Sequence, residues 1–257
     1  MKALAASRRH RLAPVILLFL ALILTGVGYA TLTSEPATAA TASEDDIVDG
    51  RAIFRANCAT CHGLDAQGTD IAPSLIGVGA ASVDFQVSTG RMPMAKNAPQ
   101  AEAKPPVMTP EQTHKLSAYV ASLGPGPAIP SEAQVAPGDP ANGMLLFRAN
   151  CSMCHNAVGA GGALTQGKYA PALDDSTPTQ IWEAVRTGPQ SMPVFNEAMI
   201  DDEGARDLIA YVLEQRDASP GGITLGNIGP VTEGLWVWIL GIGGLILAAI
   251  WIGARSS

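Results

Sequence analysis

The chain has 257 residues, with 23 acidic and 16 basic side chains, a formal net charge of −7 and only 5% aromatic residues. All 23 acidic residues lie between residues 35 and 233, where 11 basic residues accompany them. Such an acidic body argues against binding to nucleic acid and against binding to anionic lipid surfaces.

The N-terminal segment, residues 1–33, is predicted to be a signal peptide or a signal anchor. An apolar run over residues 15–29 follows four basic residues, Lys2, Arg8, Arg9 and Arg11. Residues 40–42 resemble a cleavage site but lie far from the apolar run, which favours an anchor that is retained. In either case the residues that follow are exported.

Two short motifs contain all four cysteines of the chain. One covers residues 58–62 and the other residues 151–155, each in the pattern Cys-x-x-Cys-His. Two cysteines about one helical turn apart can bond to the vinyl groups of a haem, and the next histidine then reaches the iron. The motifs predict two covalently bound haem c groups. The attachment residues are Cys58, Cys61, Cys151 and Cys154, and the axial ligands are His62 and His155.

Two other uses of these motifs are weaker. A redox dithiol does not need the histidine that follows both cysteine pairs. A structural zinc site would have to join the two pairs and would leave both histidines without a role.

The motifs are part of a longer repeat. Residues 50–62 align with residues 143–155, and the match continues through Thr89-Gly90 with Thr187-Gly188. Self-similarity along a whole unit predicts two copies of one domain, over residues 44–126 and 137–217.

Each copy is predicted to be a small all-α domain, with the cysteines at the end of a short first helix. The last helix of copy one begins with Thr109 as N-cap, Pro110 at its first position and Gln112 in a capping box. Apolar residues at helical spacing follow, up to Leu123. A haem would supply much of the core that a domain of about 80 residues otherwise lacks.

The second axial ligand of each iron is predicted to be a methionine, as is usual for a haem that carries electrons at high potential. The repeat selects Met92 and Met192, each followed by proline and each shortly after a Thr-Gly pair. Met94 is the main rival of Met92. The other methionines of the two copies are Met108, Met153 and Met199.

Several residues near the methionines have open roles. Arg91 and Arg186 are candidates either for contact with haem propionates or for a surface position. His114 has no counterpart in copy two and is expected to be solvated. Residues 96–107 are an insertion in copy one, either a partner contact or a surface loop. Because the linker over residues 124–139 is short, the two haems are expected to lie close together and to exchange electrons directly.

Residues 234–253 are predicted to be a transmembrane helix, after a linker over residues 218–233. This run has 20 residues without charge, and a buried core helix is the weaker alternative. Trp236, Trp238 and Trp251 are placed as interfacial anchors, and Arg255 puts the C-terminus in the cytoplasm.

This order of segments resembles the dihaem cytochrome cc subunit of the actinobacterial-type cytochrome bcc complex, and Thr89–Pro93 fits the same family. The resemblance implies two class I cytochrome c domains in a quinol–cytochrome c reductase, which is a translocase, with the chain itself an electron carrier. Its implied partners are a cytochrome b subunit, a Rieske iron–sulfur subunit and a haem-copper cytochrome c oxidase. It also implies that the carbonyls of Pro73 and Pro171 accept hydrogen bonds from the two haem-binding histidines.

The resemblance further implies a place in the cell membrane, with the haem domains on the outer face and both termini in the cytoplasm if the N-terminal segment is retained. The alternatives are a dihaem electron-transfer subunit of another membrane oxidase or dehydrogenase, and a dihaem enzyme such as a peroxidase. Catalysis at iron needs an exchangeable ligand position, and a methionine bound to each iron would occupy that position.

Overall fold

The computed structural model describes residues 12–32, 43–96, 98–217 and 230–255. It has two compact units, residues 1–41 and residues 42–257. The first unit contains an apolar helix, α1 (Ala13–Leu32). The N-terminal basic residues, the possible cleavage site at residues 40–42 and most of the linker at residues 218–233 lie outside the described residues.

The second unit contains both copies of the repeat and the C-terminal helix. The helices of copy one are α2 (Glu44–Asn57), α3 (Ala59–His62), α4 (Ala80–Ser88) and α5 (Pro110–Ala121). Between the copies lies α6 (Glu132–Val135). Copy two contains α7 (Pro140–Asn150), α8 (Ser152–His155), β1 (Gly162–Ala163), a 3₁₀ turn (Thr165–Gly167), β2 (Tyr169–Ala170), α9 (Pro178–Thr187) and α10 (Asp202–Asp217). β1 and β2 are antiparallel, with Gly162 opposite Ala170. The last helix is α11 (Pro230–Arg255).

Side-chain caps fix where the longer helices begin. The predicted capping box of α5 is confirmed: Thr109 Oγ1 accepts from the N–H of Gln112, and the Gln112 side chain accepts from the N–H of Thr109. The same arrangement begins α9, with Thr177 and Gln180. The helix α5 ends at Ala121, two residues before Leu123, although Leu123 still packs on the core.

A glycine of the repeat allows the first and last helices of each copy to cross closely. Helix α2 packs on α5, and α7 packs on α10. A Cβ atom at Gly50 would overlap the carbonyl oxygen of Lys115, and one at Gly143 would overlap the carbonyl oxygen of Asp207. The close backbone approach therefore requires glycine at both positions.

An aromatic pair fills each crossing. The ring centroids of Phe54 and Tyr119 lie 5.3 Å apart, and those of Phe147 and Tyr211 lie 5.2 Å apart. Both pairs have an interplanar angle of 52°. The duplicated sequence therefore builds the same helix crossing twice.

The two cores are distinct but share one boundary. One surrounds Phe54 and Leu116 in copy one, and the other surrounds Phe147 and Trp182 in copy two. Ala81 of α4 belongs to copy one in sequence but is fully buried in the core of copy two. The α4 helix therefore joins the two copies, by packing on α9.

The C-terminal helix is a candidate membrane span. Among the described residues, Gly234–Ala254 of α11 is the one stretch long and apolar enough to cross a bilayer, and none of it is buried in the chain. The apolar part of α1, Pro14–Gly28, is shorter. The predicted all-α class is confirmed, with α11 as the candidate anchor.

Candidate haem sites

The first motif begins where α2 ends. The N–H of Cys58 donates to the carbonyl of Phe54 at 2.7 Å, and the N–H of His62 donates to the carbonyl of Cys58 at 2.9 Å. Cys58 is half-buried, Cys61 is exposed, and the His62 side chain is 9% exposed. This short turn holds both thiols and the imidazole close together.

An acceptor holds the imidazole of His62. Its Nδ1 lies 2.8 Å from the carbonyl oxygen of Pro73. A carbonyl can only accept, so Nδ1 carries the hydrogen, and Nε2 has a free lone pair for a metal. The proline position implied by the family resemblance is thus where this contact forms.

The second motif repeats this geometry in copy two. The N–H of Cys151 donates to the carbonyl of Phe147 at 2.8 Å, and Nδ1 of His155 lies 3.0 Å from the carbonyl oxygen of Pro171. Burial lowers the pKa of His155, although the hydrogen bond to Pro171 opposes this shift. The neutral imidazole that a metal requires is therefore favoured.

The two alternative uses of the cysteines find no support. As free thiols, Cys58 and Cys151 each have a pKa raised to about 11, chiefly by burial and then by the neighbouring cysteine. A thiol with such a pKa is mostly protonated at neutral pH, so Cys58 and Cys151 are poor nucleophiles. Over residues 12–32, 43–96, 98–217 and 230–255, no group of three His, Cys, Asp or Glu side chains is placed to hold a metal ion, as a zinc site would require.

Met92 and Met192 have matched packing in the two copies. Met92 packs on the copy-one core together with Cys58, and Met192 packs on the copy-two core together with Cys151. In each copy the first cysteine and the selected methionine therefore contact the same group of buried residues. Their ligation of iron stays a prediction.

The other methionines differ in position. Met108 is buried in the copy-one core, whereas Met94 is half-buried and does not pack on that core. Met153 is 89% exposed and Met199 is 60% exposed, so neither lies against the core of copy two.

A partly open cavity of about 400 Å³ lies against the second motif, in copy two. Its walls include both motif cysteines, His155 and Met192. Much of the remaining wall is apolar, from Ile181, Val185, Phe195, Leu208 and Val212. A cofactor-sized, mostly apolar cavity with two thiols and two potential axial ligands fits a covalently bound haem.

Copy one supplies part of the wall of this cavity. The contributing residues are Phe85, Thr89, Arg91, Gln100 and Ala103. Sequence reasoning missed this shared wall, because the repeat alignment assigns each copy its own site. The one available signal was the insertion at residues 96–107, which is present in copy one only.

The insertion contacts copy two within the same chain. The amide group of Gln100 donates to the carbonyl of Tyr169 and accepts from its N–H, both at 2.8 Å. The N–H of Ala101 donates to Oε1 of Gln190 at 3.1 Å. Lys104 Nζ then donates to the carbonyl of Pro93 at 2.7 Å. The insertion is therefore not a free surface loop, since it bridges the methionine loop of copy one and the cavity rim of copy two.

Two carboxyl groups meet where α4 packs on α9. Glu183 is 0% exposed, and its pKa is raised to about 9 by burial first, and then by the charge of Asp84 and a hydrogen bond with it. No donor among the described residues otherwise reaches the two carboxylate oxygens of Glu183. Burial and the neighbouring carboxyl group of Asp84 both disfavour the charged form, so the protonated form of Glu183 is favoured.

The two arginines have different surroundings. Arg186 is buried, and its guanidinium donates to the carbonyls of Phe195 and Ile200 and to Asp202. Arg186 therefore does not lie at the surface, and its hydrogen bonds hold the chain that follows Met192 in place. Arg91 is half-buried, lies 4.9 Å over the ring of Phe85 and faces the cavity of copy two. His114 is exposed, as expected.

Comparison with known proteins gives similarity over most of the chain. Residues 47–124 match the family model described as cytochrome c, and residues 138–212 match the one described as cytochrome C oxidase, cbb3-type, subunit III. Three similar relatives are each named cytochrome bc1 complex cytochrome c subunit. That of Corynebacterium efficiens is 44% identical over 91% of this chain and 86% of its own length. That of Corynebacterium diphtheriae is 42% identical over 99% of both chains. That of Mycobacterium tuberculosis is 43% identical over 96% of this chain and 92% of its own.

Proposed function

Because this chain belongs to the family of cytochrome bc1 complex cytochrome c subunits, we propose that it passes electrons from a Rieske iron–sulfur protein, through two haems, to a haem-copper cytochrome c oxidase. Its cytochrome c domains imply covalently bound haem c and electron transfer within an oxidoreductase complex. When bound, haem c supplies reversible one-electron chemistry at iron.

The observation that carries the proposal is the equivalence of the two sites. In both copies the Nδ1 atom of the motif histidine lies within 3.0 Å of a proline carbonyl, at Pro73 and at Pro171. In both copies a methionine packs on the same core as the first cysteine. We assign Cys58, Cys61, Cys151 and Cys154 to haem attachment, and His62, Met92, His155 and Met192 to axial ligation.

Such an arrangement suits an electron carrier better than a haem enzyme. The proline carbonyls hold the imidazole rings in one orientation, and their acceptance of the Nδ1 hydrogen makes each Nε2 a better donor. A methionine opposite each histidine would leave no open position for a substrate, which a peroxidase requires.

The contacts between the copies support direct electron exchange. Helix α4 packs on α9, and the insertion at residues 96–107 forms hydrogen bonds with copy two. Because residues of copy one form part of the wall of the copy-two cavity, a haem bound there would be in contact with the first domain. The contact itself fixes no direction; we assign the entry of electrons to copy one and their exit to copy two because the family resemblance implies that order.

The apolar helix α11 supports a placement in the membrane. We propose that this helix anchors the chain in the cell membrane, with both haem domains on the outer face and the C-terminus in the cytoplasm. The N-terminal segment would add a second anchor if it is retained. Cytochrome b, which oxidises the quinol, would be the neighbour within the membrane, and the assembled complex would act as a translocase.

A second candidate is a dihaem subunit of a cbb3-type oxidase. It is favoured by the family model that matches residues 138–212, whose description names that oxidase. The whole-length similarity to bc1 complex subunits weighs against it.

Mild detergent extraction of the tagged, full-length chain tests the assembly. We expect cytochrome b, Rieske and oxidase subunits to be recovered together with it. Recovery alone, with a dehydrogenase, or with a cbb3-type oxidase and no cytochrome b would refute the proposal. A pyridine haemochrome assay should give two haems per chain, and one in the Cys58→Ala/Cys61→Ala control.

A further inference from the structure

We propose that Arg91 serves the haem of the other copy: it lies beside Met92 in copy one, but its guanidinium group binds a haem propionate in the cavity of copy two. This inference rests on the proposed binding of haem in that cavity. It deepens the proposed function by naming a residue that one domain contributes to the redox centre of the other.

Arg91 lines the cavity that also contains Cys151, His155 and Met192 in its walls. Its guanidinium carbon lies 4.9 Å from the centroid of the Phe85 ring, which lines the same cavity. Stacking on an aromatic face orients the planar guanidinium and limits its rotamers.

The positive charge of Arg91 has no partner in an ion pair among the described residues. The ion pairs among the described residues use Arg51, Lys115 and Arg186, and none of them uses Arg91. A cation that is half removed from water needs an anion or an acceptor to offset its lost hydration. The carboxylate in the cavity wall, Asp175, is exposed and forms no ion pair with Arg91.

Few charged side chains line the cavity. Among the described residues that line it, Arg91 alone has a permanently cationic side chain. A haem brings two propionate carboxylates into a wall that is otherwise mostly neutral. The planar fork of arginine matches a carboxylate with two parallel hydrogen bonds, so Arg91 is the group that this cavity offers to a propionate.

In copy two, Arg186 also lies near a methionine loop, but this position alone does not make an arginine available to a haem propionate. Arg186 precedes Thr187 and Gly188, but its guanidinium is taken up by two backbone carbonyls and Asp202. Arg186 therefore positions its own loop, whereas Arg91 has its guanidinium available for a ligand carboxylate.

A cation beside a haem favours the reduced form, because reduction removes one positive charge from the iron. Loss of Arg91 should therefore lower the midpoint potential of the haem in copy two. A unit charge about 10 Å away, at an effective dielectric constant of about 20, changes such an equilibrium on the order of tenfold. A tenfold change corresponds to about 59 mV for a one-electron couple.

Redox titration of the full-length chain in detergent tests this with three variants. Arg91→Gln should lower one of the two midpoint potentials by about 59 mV, which corresponds to a tenfold change in the equilibrium constant for reduction. Arg91→Lys should restore most of the difference. Lys96→Gln removes one positive charge from an exposed position five residues further on, and should change neither potential.

Assignment to a haem uses chains that can attach only one. In the Cys58→Ala/Cys61→Ala background, which keeps only the second motif, Arg91→Gln should still lower the remaining potential. In the Cys151→Ala/Cys154→Ala background it should have no such effect. If these chains do not accumulate, Met192→Ala in the two-haem protein identifies the transition of the second haem.

An unchanged pair of potentials in Arg91→Gln would overturn the inference, and so would a shift confined to the haem of copy one. The haem count separates this failure from a failure of the proposed function. Two haems per chain with unshifted potentials contradict the role of Arg91 alone, whereas fewer than two contradict the premise.

Discussion

The side-chain amide of Gln100 pairs with the backbone of Tyr169 as a neighbouring strand would, through two hydrogen bonds of 2.8 Å. Gln100 lies in the insertion of copy one, and Tyr169 lies in β2 of copy two. Both residues also line the copy-two cavity. This pairing therefore closes one side of a site to which both halves of the duplicated chain contribute.

Replacing Gln100 by alanine should loosen this contact. Two hydrogen bonds of ordinary strength contribute about 1–3 kcal/mol together. We expect faster hydrogen exchange at the Tyr169 amide, by roughly tenfold to a hundredfold, because that N–H loses its acceptor. Glu102→Ala changes an exposed residue of the same insertion and should leave the exchange rate unaltered. Equal rates in wild type and Gln100→Ala would contradict the pairing.

Glu183 should make the stability of the chain depend on pH. Its pKa is raised from 4.5 to about 9 in the folded state by burial and by Asp84. Between these two values the unfolded chain releases the proton that the folded chain keeps. The free energy of unfolding should therefore fall as pH rises from about 4.5 towards 9, by up to about 1.4 kcal/mol per pH unit.

The variant Glu183→Gln tests this dependence, since an amide cannot ionise and can donate to Asp84 without a shared proton. Denaturant titrations at several pH values should give a flatter profile, with greater stability than wild type at pH 8 by roughly 1–4 kcal/mol. Glu197→Gln alters an exposed carboxylate of the same copy and should preserve the wild-type slope. A slope that survives in Glu183→Gln would show that another group causes it.

Removing the proposed methionine ligands should change the haem spectra. Met92→Ala and Met192→Ala should each remove about half of the near-infrared band of iron–thioether bonds, because each takes one sulfur from one of two haems. Met94→Ala tests the rival position, and Met199→Ala, at a 60% exposed site, is the control. Loss of the band in Met94→Ala but not in Met92→Ala would reassign the first ligand, and no loss in any variant would end the His/Met assignment.

The glycines at the helix crossings should tolerate no side chain. In Gly50→Ala and Gly143→Ala the added Cβ atoms would overlap the carbonyl oxygens of Lys115 and Asp207. Because a backbone oxygen cannot move aside as a flexible side chain can, each helix pair would separate, at a cost of about 1–3 kcal/mol or more. Thermal unfolding followed by circular dichroism should show the loss. Gly234→Ala, where an added Cβ meets nothing within 4 Å, should not; similar transitions in all three variants would refute the steric argument.

Features that depend on residues close together in the chain could be predicted from the sequence. The Cys-x-x-Cys-His turns, the capping box of Thr109 and Gln112, and the apolar run of α11 each follow from local spacing and local chemistry. The duplication added one comparison across the chain. It matched Met92 with Met192 and thereby suggested equivalent sites, because copies of one domain share their packing.

How the two copies contact each other could not be predicted from the sequence. Gln100 and Tyr169 are 69 residues apart, and Asp84 and Glu183 lie in different copies, so no local pattern in the sequence brings either pair together. The sequence also did not predict the different surroundings of the two arginines. Arg91 and Arg186 both lie next to a matched Thr-Gly pair, but Arg91 faces a cavity and Arg186 forms hydrogen bonds with its own loop. The environment of a side chain depends on which surfaces pack together. In a duplicated protein the repeat describes each copy separately, and it contains no information about the contact between the copies.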